Sequence, residues 1–351
     1  MYIHTFEATT YLTNEKFYDI QKELRNDKDK WKAEKRGMTY FGLSDKGILI
    51  KMYQIKKPRF YTYTITYRIS ARRVIDNDNY VGLFNTKDYS ILKDKINYIL
   101  NKKCDLLPDI SKCTLRRLDF CINAELDSQE QVKAYINTAR RANIPAKLKR
   151  YVVYNEKAKR TKPTDDDMTV YNDGYIAISI YNKYAQMKKE KKVPYSEKDL
   201  SKAKNIVRIE IRCMEEKVQV LQKKFSVRTI DEFMVYADTI GDSLYNYYLP
   251  KMFGSGEICT LKEAVRKIEM SEFKKKNIEL MKEFIEDANT LRSAFEAVKF
   301  YTEAYGKKEV KRILYLFDHI DTNYVTATNA DAKLFNKSYI PTPIELYNDT
   351  V

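Results

Sequence analysis

Alternating apolar and polar residues open the chain and predict a β-strand over residues 2–9. Asn14 can cap the amphipathic helix that follows, which we expect to run to about residue 33. Three β-branched and aromatic runs then predict strands over residues 39–43, 48–55 and 60–70. A helical pattern near residues 86–101 completes the order β-α-β-β-β-α.

The same order begins again in the second hundred residues. A strand is predicted over residues 114–125, and Asp127 or Ser128 can cap a helix to about residue 143. Asn172-Asp173-Gly174 is typical of a hairpin turn between β-rich runs, and a last strand is predicted over residues 205–213. From about residue 217 the pattern is helical.

We therefore predict an α+β fold, with an antiparallel β-sheet flanked by helices and built from duplicated β-α-β-β units. The predicted first domain covers residues 1–215, in two quasi-repeated halves of about 1–105 and 113–215. A separate helical domain is predicted over residues 216–351. It contains the lysine runs 274–276 and 307–308, so we expect it to recognise DNA or bind a partner.

Several protein classes are excluded by composition and motifs. No apolar run approaches the ~18 residues that span a bilayer, and no signal-peptide pattern opens the chain, so we expect a cytoplasmic protein without a membrane partner. Five Cys without a CxxC pair, and two His, argue against a disulfide scaffold and a structural zinc site. The sequence has neither a P-loop nor a dinucleotide-binding motif.

The charge of the chain favours a polyanionic partner. Its 64 Lys and Arg exceed its 49 Asp and Glu, and residues 51–150 alone carry a net charge of +11. The 29 Tyr supply rings that can stack on unpaired bases, which suits single-stranded or locally melted DNA. The expected DNA contacts are Lys56, Lys57, Arg72, Arg73, Arg116 and Arg117.

Polar residues interrupt two of the predicted strands. Alternation places Asp119, Cys121 and Asn123 on one face of the strand over residues 114–125. Glu210 stands between two isoleucines in the last strand. Two acids on neighbouring strands suit a divalent cation, completed by Asn123 or water. In the alternative interpretation, both acids pair with the arginines of the same strands, namely Arg116, Arg117, Arg208 and Arg212.

Tyrosines of the predicted hairpin are candidate nucleophiles: Tyr171, Tyr175, Tyr181 and Tyr184. A phenol becomes a useful nucleophile when a metal polarises its target or a base or cation activates it. Lys183 lies two residues beyond Tyr181. His4 and Glu7 of the first strand can lie near the same sheet face, but a lone His is more often structural, and His4 is therefore not assigned as a ligand.

Three strand motifs in succession resemble those of rolling-circle replication initiators. RRLDFCIN (116–123), TVY-turn-YIAISIYNK (169–183) and NIVRIEIRC (205–213) are similar to motifs of trans-acting plasmid Rep proteins, filamentous-phage gene II type initiators and relaxases. The resemblance implies an HUH-related endonuclease fold with acidic metal ligands. It implies Asp119 and Glu210 as ligands of Mg²⁺ or Mn²⁺, Tyr171 as the nucleophile and Lys183 as a phosphate contact.

The chain departs from that family pattern at two points. Asn123 stands where a second acid is common. The Asn172-Asp173-Gly174 turn is shorter than the family's usual turn, which leaves the choice between Tyr171 and Tyr181 open.

The resulting hypothesis is a metal-dependent, site-specific endonuclease and strand transferase. It would form a 5′-phosphotyrosyl link at a plasmid or phage origin and free a 3′-OH for replication. Besides DNA, the expected partners are a host helicase and a second copy of the chain. The alternatives are a non-catalytic origin-binding protein and an RNA-binding protein that uses the aromatic sheet.

Overall fold

The computed structural model of the protein describes residues 1–77, 79–145, 148–150, 152–155, 160–163, 168–190, 195–335 and 339–350. Its first elements are β1 (Tyr2–Leu12), α1 (Asn14–Arg25), β2 (Trp31–Glu34), β3 (Gly37–Tyr40), β4 (Ile48–Lys56), β5 (Tyr61–Ser70), α2 (Ala71–Ile75), β6 (Phe84–Asn85), α3 (Tyr89–Lys103) and β7 (Thr114–Glu125). Next come α4 (Gln129–Ala139), β8 (Lys149–Arg150), β9 (Val152–Asn155), β10 (Arg160–Pro163), β11 (Met168–Asn172), β12 (Ile176–Asn182), α5 (Lys183–Lys189), α6 (Glu197–Ala203) and β13 (Ile206–Cys213).

The remaining described elements are helices: α7 (Glu215–Phe225), α8 (Ile230–Val235), α9 (Ala237–Phe253), α10 (Leu261–Glu269), α11 (Lys275–Thr290), α12 (Ala294–Tyr305), α13 (Lys307–His319), α14 (Asn329–Ala332) and α15 (Pro343–Thr350). The predicted α+β class, with a large antiparallel sheet and a C-terminal helical region, is confirmed. No helix in the described ranges is long and apolar enough to cross a membrane.

The chain forms two compact units. The first comprises Met1–Ile122, Gly174–Ala177 and Glu210–Asp242, and the second comprises Asn123–Asp173, Ile178–Ile209 and Ser243–Val351. The domain boundary predicted between residues 215 and 216 stays a prediction.

The sheet of the first unit has an apolar face and a polar face. Its strands lie in the order β2-β3-β4-β5-β1-β7-β13, and β1 pairs antiparallel with both β5 and β7. On the apolar face, Phe6 and Ile65 are fully buried, and the ring of Phe17 on α1 lies 5.0 Å from that of Tyr63 on β5. Because side chains alternate along a strand, Thr64 and Thr66 point to the opposite face.

The second unit contains strands in the order β13-β12-β11-β8 and a separate antiparallel pair, β9 and β10. Its helices α10 to α13 bury an apolar cluster that includes Ile268, Phe284 and Phe317. On α9, the buried Tyr245 hydroxyl donates to the carbonyl of Ile209 at 3.1 Å.

One predicted helix is shorter than expected. Helix α1 ends at Arg25, and Trp31–Glu34 forms strand β2, which pairs with β3. Asp29 has a left-handed backbone conformation, with φ of 61°, which a continuing α-helix cannot contain. The prediction of a helix to residue 33 was therefore wrong.

Candidate metal centre

One imidazole and two carboxylates converge in the first unit. His4 on β1, Asp119 on β7 and Glu210 on β13 each offer a ligand atom, and these atoms lie within 4.8 Å of one another. The side chains of Asp119 and Glu210 are 1% and 5% exposed, and that of His4 is 31% exposed. Within the described ranges this is the one cluster of His, Cys, Asp and Glu that could hold a metal ion.

A β-bulge explains how His4 joins the two acids. Ile3 of β1 pairs with Phe120 of β7, and Thr5 pairs with Asp119. Between these two pairs β1 advances by two residues and β7 by one. The extra residue is His4. A bulge of this kind re-aims a side chain that strict alternation would send to the other face.

Two arginines neutralise the carboxylates. Arg117 donates from Nε and a terminal nitrogen to the two oxygens of Asp119, at 2.8 and 2.5 Å. Arg212 donates to Glu210 Oε1 at 2.7 Å, and its Nε lies 3.3 Å from Asp119 Oδ1. Burial opposes the charged form of Arg212, but the charges of Asp119 and Glu210 outweigh it and raise the pKa of Arg212.

The donor set fits a divalent cation. Glu210 Oε2 faces away from the Arg212 bond: it lies 3.9 Å from His4 Nδ1 and accepts a hydrogen bond from the Cys121 thiol at 3.8 Å. Two carboxylate oxygens suit Mg²⁺ or Mn²⁺. Of these two ions, Mn²⁺ accepts an imidazole nitrogen more readily, because Mg²⁺ prefers oxygen ligands. The ion pairs of the alternative interpretation are also present, for Arg117 and Arg212.

A cationic groove of about 570 Å³ runs over the polar face of the same unit. Four of its lining residues are basic: Arg36, Lys51, Arg116 and Arg117. Glu7, also in the lining, lies 3.8 Å from Arg117 and 3.9 Å from Lys51. Arg117 is shared by the groove and the metal centre, so the two features adjoin.

The predicted DNA contacts divide into three groups. Arg116 and Arg117 line the groove, and Arg116 pairs with Glu215. Lys56 and Lys57 are exposed at the end of β4 and in the turn after it. The two arginines of α2 are not groove residues: Arg72 lies 3.7 Å from Asp76, and Arg73 donates to the carbonyl of Asp45 at 2.9 Å.

Of the other predicted site residues, Tyr175 belongs to the first unit and is 52% exposed, and the rest belong to the second unit. Asn123 accepts a hydrogen bond at 2.8 Å from the buried Arg208. Tyr171 is 0% exposed, and its hydroxyl donates to the carbonyl of Ala139 at 2.9 Å. Tyr181 is buried as well.

Helix α5 carries two more of the candidates, Lys183 and Tyr184. Lys183 is buried, and its ammonium donates to Gln186 at 2.8 Å. Tyr184 is half-buried, and the Lys188 ammonium lies 4.5 Å from the centre of its ring. A hydrogen bond to Tyr184 raises the pKa of Lys188.

The chain matches the sequence model of one known protein family. The sequence model of the N-terminal region of the replication-associated protein of phages, the gene II protein, matches residues 5–234, about two thirds of the chain. The chain belongs to this family. The resemblance to filamentous-phage gene II type initiators is thereby confirmed, and the chain is a replication-associated protein. No curated protein and no solved structure matches it.

Sequence reasoning did not assign His4, Arg36 or Lys51 to the site. His4 was set aside because a lone His is more often structural, and the bulge that brings it to the two acids has no signal in the sequence. Lys51 and Arg36 come from β4 and the β2–β3 turn, far from the acids in sequence. The sequence contained one signal that could have identified His4 as a ligand: His4 is one of two His in the chain, and it lies on the same predicted strand as Glu7.

Proposed function

We propose that the protein initiates rolling-circle replication by nicking and rejoining one DNA strand with a divalent cation and a tyrosine. The observation that carries the proposal is the convergence of His4, Asp119 and Glu210 beside a cationic groove. Membership of the replication-associated family supports it independently.

In this proposal His4, Asp119 and Glu210 would hold Mg²⁺ or Mn²⁺. A bound ion would supply Lewis-acid chemistry at a phosphate oxygen of the scissile bond. Arg117 fixes the orientation of the Asp119 carboxylate through two hydrogen bonds. Arg212 bridges Asp119 and Glu210 and places a positive charge beside both carboxylates.

The groove holds the DNA strand. Guanidinium and ammonium groups of Arg36, Lys51 and Arg116 bind phosphates, and the ring of Tyr53 in the groove wall offers a face to a base. The phosphate contacts predict binding that weakens steeply as salt concentration rises.

The covalent step is a transesterification. A tyrosine oxygen loses its proton and bonds to phosphorus, the bond from phosphorus to the 3′ oxygen breaks, and that 3′ oxygen gains a proton. The products are a 5′-phosphotyrosyl link and a free 3′-OH. Attack by a 3′-OH reverses the step and rejoins the strand, so no nucleotide cofactor is required.

Accessibility supports Tyr175 as the nucleophile. Tyr175 is 52% exposed and belongs to the first unit, which also holds the metal centre. Its carbonyl accepts a hydrogen bond at 2.9 Å from the amide of Met214, which lines the groove. Tyr171 and Tyr181 are buried. The resemblance implies a tyrosine of this segment, so the test below also includes Tyr171→Phe, Tyr175→Phe and Tyr181→Phe.

The test uses a single-stranded oligonucleotide from the protein's own replicon, labelled at its 5′ or 3′ end. With Mn²⁺ or Mg²⁺ we expect cleavage and a denaturation-resistant adduct, both abolished by EDTA and by Asp119→Asn. Glu125→Gln is the matched control, because Glu125 is an exposed acid at the end of the same strand as Asp119, outside both the metal centre and the groove. Equal cleavage by wild type and Asp119→Asn contradicts the proposal.

A second candidate is a non-catalytic origin-binding protein. It is favoured by one observation, that Arg117 and Arg212 already neutralise Asp119 and Glu210. Salt-sensitive DNA binding without cleavage or adduct, in either metal, supports this candidate over the first.

A further inference from the structure

The hairpin between β4 and β5 ends in a basic and aromatic segment, Lys56-Lys57-Pro58-Arg59-Phe60-Tyr61, which we call the hairpin tip. Lys56 pairs with Tyr61 across the strands, and the amide of Lys57 donates to the carbonyl of Phe60 at 2.8 Å, which closes the turn. Pro58 suits a turn of this kind because its ring fixes φ. The hairpin tip is therefore an ordered turn in the first unit.

Every residue of the hairpin tip is exposed. Phe60 is 65% exposed and Tyr61 is 47% exposed. Adjacent exposed rings are unfavourable in water and are typical of a binding surface rather than of a solvated turn.

The charge of the hairpin tip selects an anionic partner. Lys56, Lys57 and Arg59 stand beside the two rings, and no acidic side chain pairs with them in the part of the chain that the structure describes. Cations interleaved with exposed rings match a nucleic acid strand, whose phosphates and bases alternate along its length.

The hairpin tip continues the cationic groove. Gln54 and Ile55 line the groove and directly precede Lys56 on β4. From Lys51 in the groove to Lys57 in the turn, six residues of extended chain span roughly 20 Å. A DNA strand several nucleotides long can therefore contact both.

We propose that the hairpin tip stacks on unpaired bases of the DNA strand where that strand leaves the groove. The inference rests on the proposed function, since it takes the groove to hold the strand. Phe60 and Tyr61 supply the stacking faces, and Lys56, Lys57 and Arg59 bind the flanking phosphates.

The test measures dissociation constants by fluorescence anisotropy in EDTA, so that no cleavage is required. The probes are a single-stranded oligonucleotide from the origin and the blunt duplex of the same sequence. Tyr98→Ala is the matched control for Phe60→Ala, because Tyr98 on α3 is 64% exposed and outside both groove and hairpin tip. Lys102→Gln is the control for Lys57→Gln, since both lysines are exposed.

We expect Phe60→Ala to weaken single-strand binding on the order of ten-fold, as the loss of one stacked base does. Duplex binding should change less than about two-fold, because paired bases do not offer their faces. For the single strand, the logarithm of the binding constant falls linearly with the logarithm of the salt concentration, and Lys57→Gln should make that slope shallower by about 0.7. Tyr98→Ala and Lys102→Gln should match the wild type.

The inference is overturned if Phe60→Ala binds the single strand as the wild type does, or if it weakens single strand and duplex equally. The adduct assay separates this failure from that of the proposed function. A wild-type adduct together with unchanged binding by Phe60→Ala rejects the hairpin tip alone. Selective loss of single-strand binding without any wild-type adduct supports the hairpin tip and rejects the nicking reaction.

Discussion

Replacing Arg212 by Met tests the metal centre through its electrostatics. The substitution keeps a long apolar stem but removes the guanidinium that contacts Glu210 at 2.7 Å and Asp119 at 3.3 Å. In the metal-free protein, two carboxylates that are 1% and 5% exposed then lose a positive neighbour. A bound divalent cation would supply that positive charge instead.

The exposure and the partners of these side chains determine how much stability Arg212→Met should lose. Breaking a fully buried ion pair costs about 3–5 kcal/mol of stability. Arg212 is 31% exposed and Asp119 keeps Arg117, so we expect a loss of about 2.5 kcal/mol in EDTA. With saturating Mn²⁺ the loss of stability caused by Arg212→Met should fall to about 1 kcal/mol. Because metal binding and folding stability are linked, the folded Arg212→Met variant should then bind Mn²⁺ about ten-fold more tightly than the wild type does.

The assay is urea unfolding of wild type and Arg212→Met, in EDTA and in Mn²⁺, with calorimetry for the Mn²⁺ affinity. Arg116→Met is the control, because the Arg116–Glu215 pair is exposed on both sides; its loss should stay below about 1 kcal/mol in either condition. Equal destabilisation of Arg212→Met in EDTA and Mn²⁺, or weaker Mn²⁺ binding, refutes the reasoning.

Three further predictions concern stability and reactivity. Burial raises the pKa of Cys113 and Cys213 to about 12, so these thiols should react with a disulfide reagent at pH 8 on the order of a thousand-fold more slowly in the native protein than in urea; rapid labelling of the native protein contradicts this. Hydrogen bonds from Lys103 and Tyr40 hold the pKa of Asp27 below its ordinary 3.8. Asp27 therefore adds stability at neutral pH that is lost as pH falls through 3.8 and then through the lower native pKa. In urea titrations, Asp27→Asn should lose less stability on acidification than the wild type does. The same loss in both proteins rejects the contribution of Asp27. Tyr171→Phe removes a buried hydrogen bond and should cost about 1 kcal/mol of stability while the adduct still forms; adduct loss in a normally stable variant assigns the nucleophile to Tyr171.

Strand positions that carry strong apolar patterns were predictable. The predicted strand over residues 114–125 coincides with β7, and the one over residues 205–213 differs from β13 by one residue. Their acids were recognised because a carboxylate between apolar neighbours needs a partner. The sequence could not decide whether that partner is an arginine or a metal, and the structure contains both the arginine pairs and a ligand cluster.

Features that depend on single backbone conformations were not predictable. The left-handed Asp29 lies in the turn between α1, which ends at Arg25, and β2, and the bulge at His4 brings the imidazole to the two acids. Neither residue type requires its conformation. The burial of Tyr171 depends on the position of the Ala139 carbonyl on α4, which no local pattern reports.

Mass spectrometry of the covalent product is the most direct test of the central claim. The protein is incubated with its origin single strand and Mn²⁺, denatured, digested with nuclease and protease, and searched for a 5′-phosphotyrosyl peptide. The account predicts one modified tyrosine, Tyr175, and no modified tyrosine with EDTA or in Asp119→Asn. No modified tyrosine despite tight DNA binding, or modification that persists without metal, would contradict it.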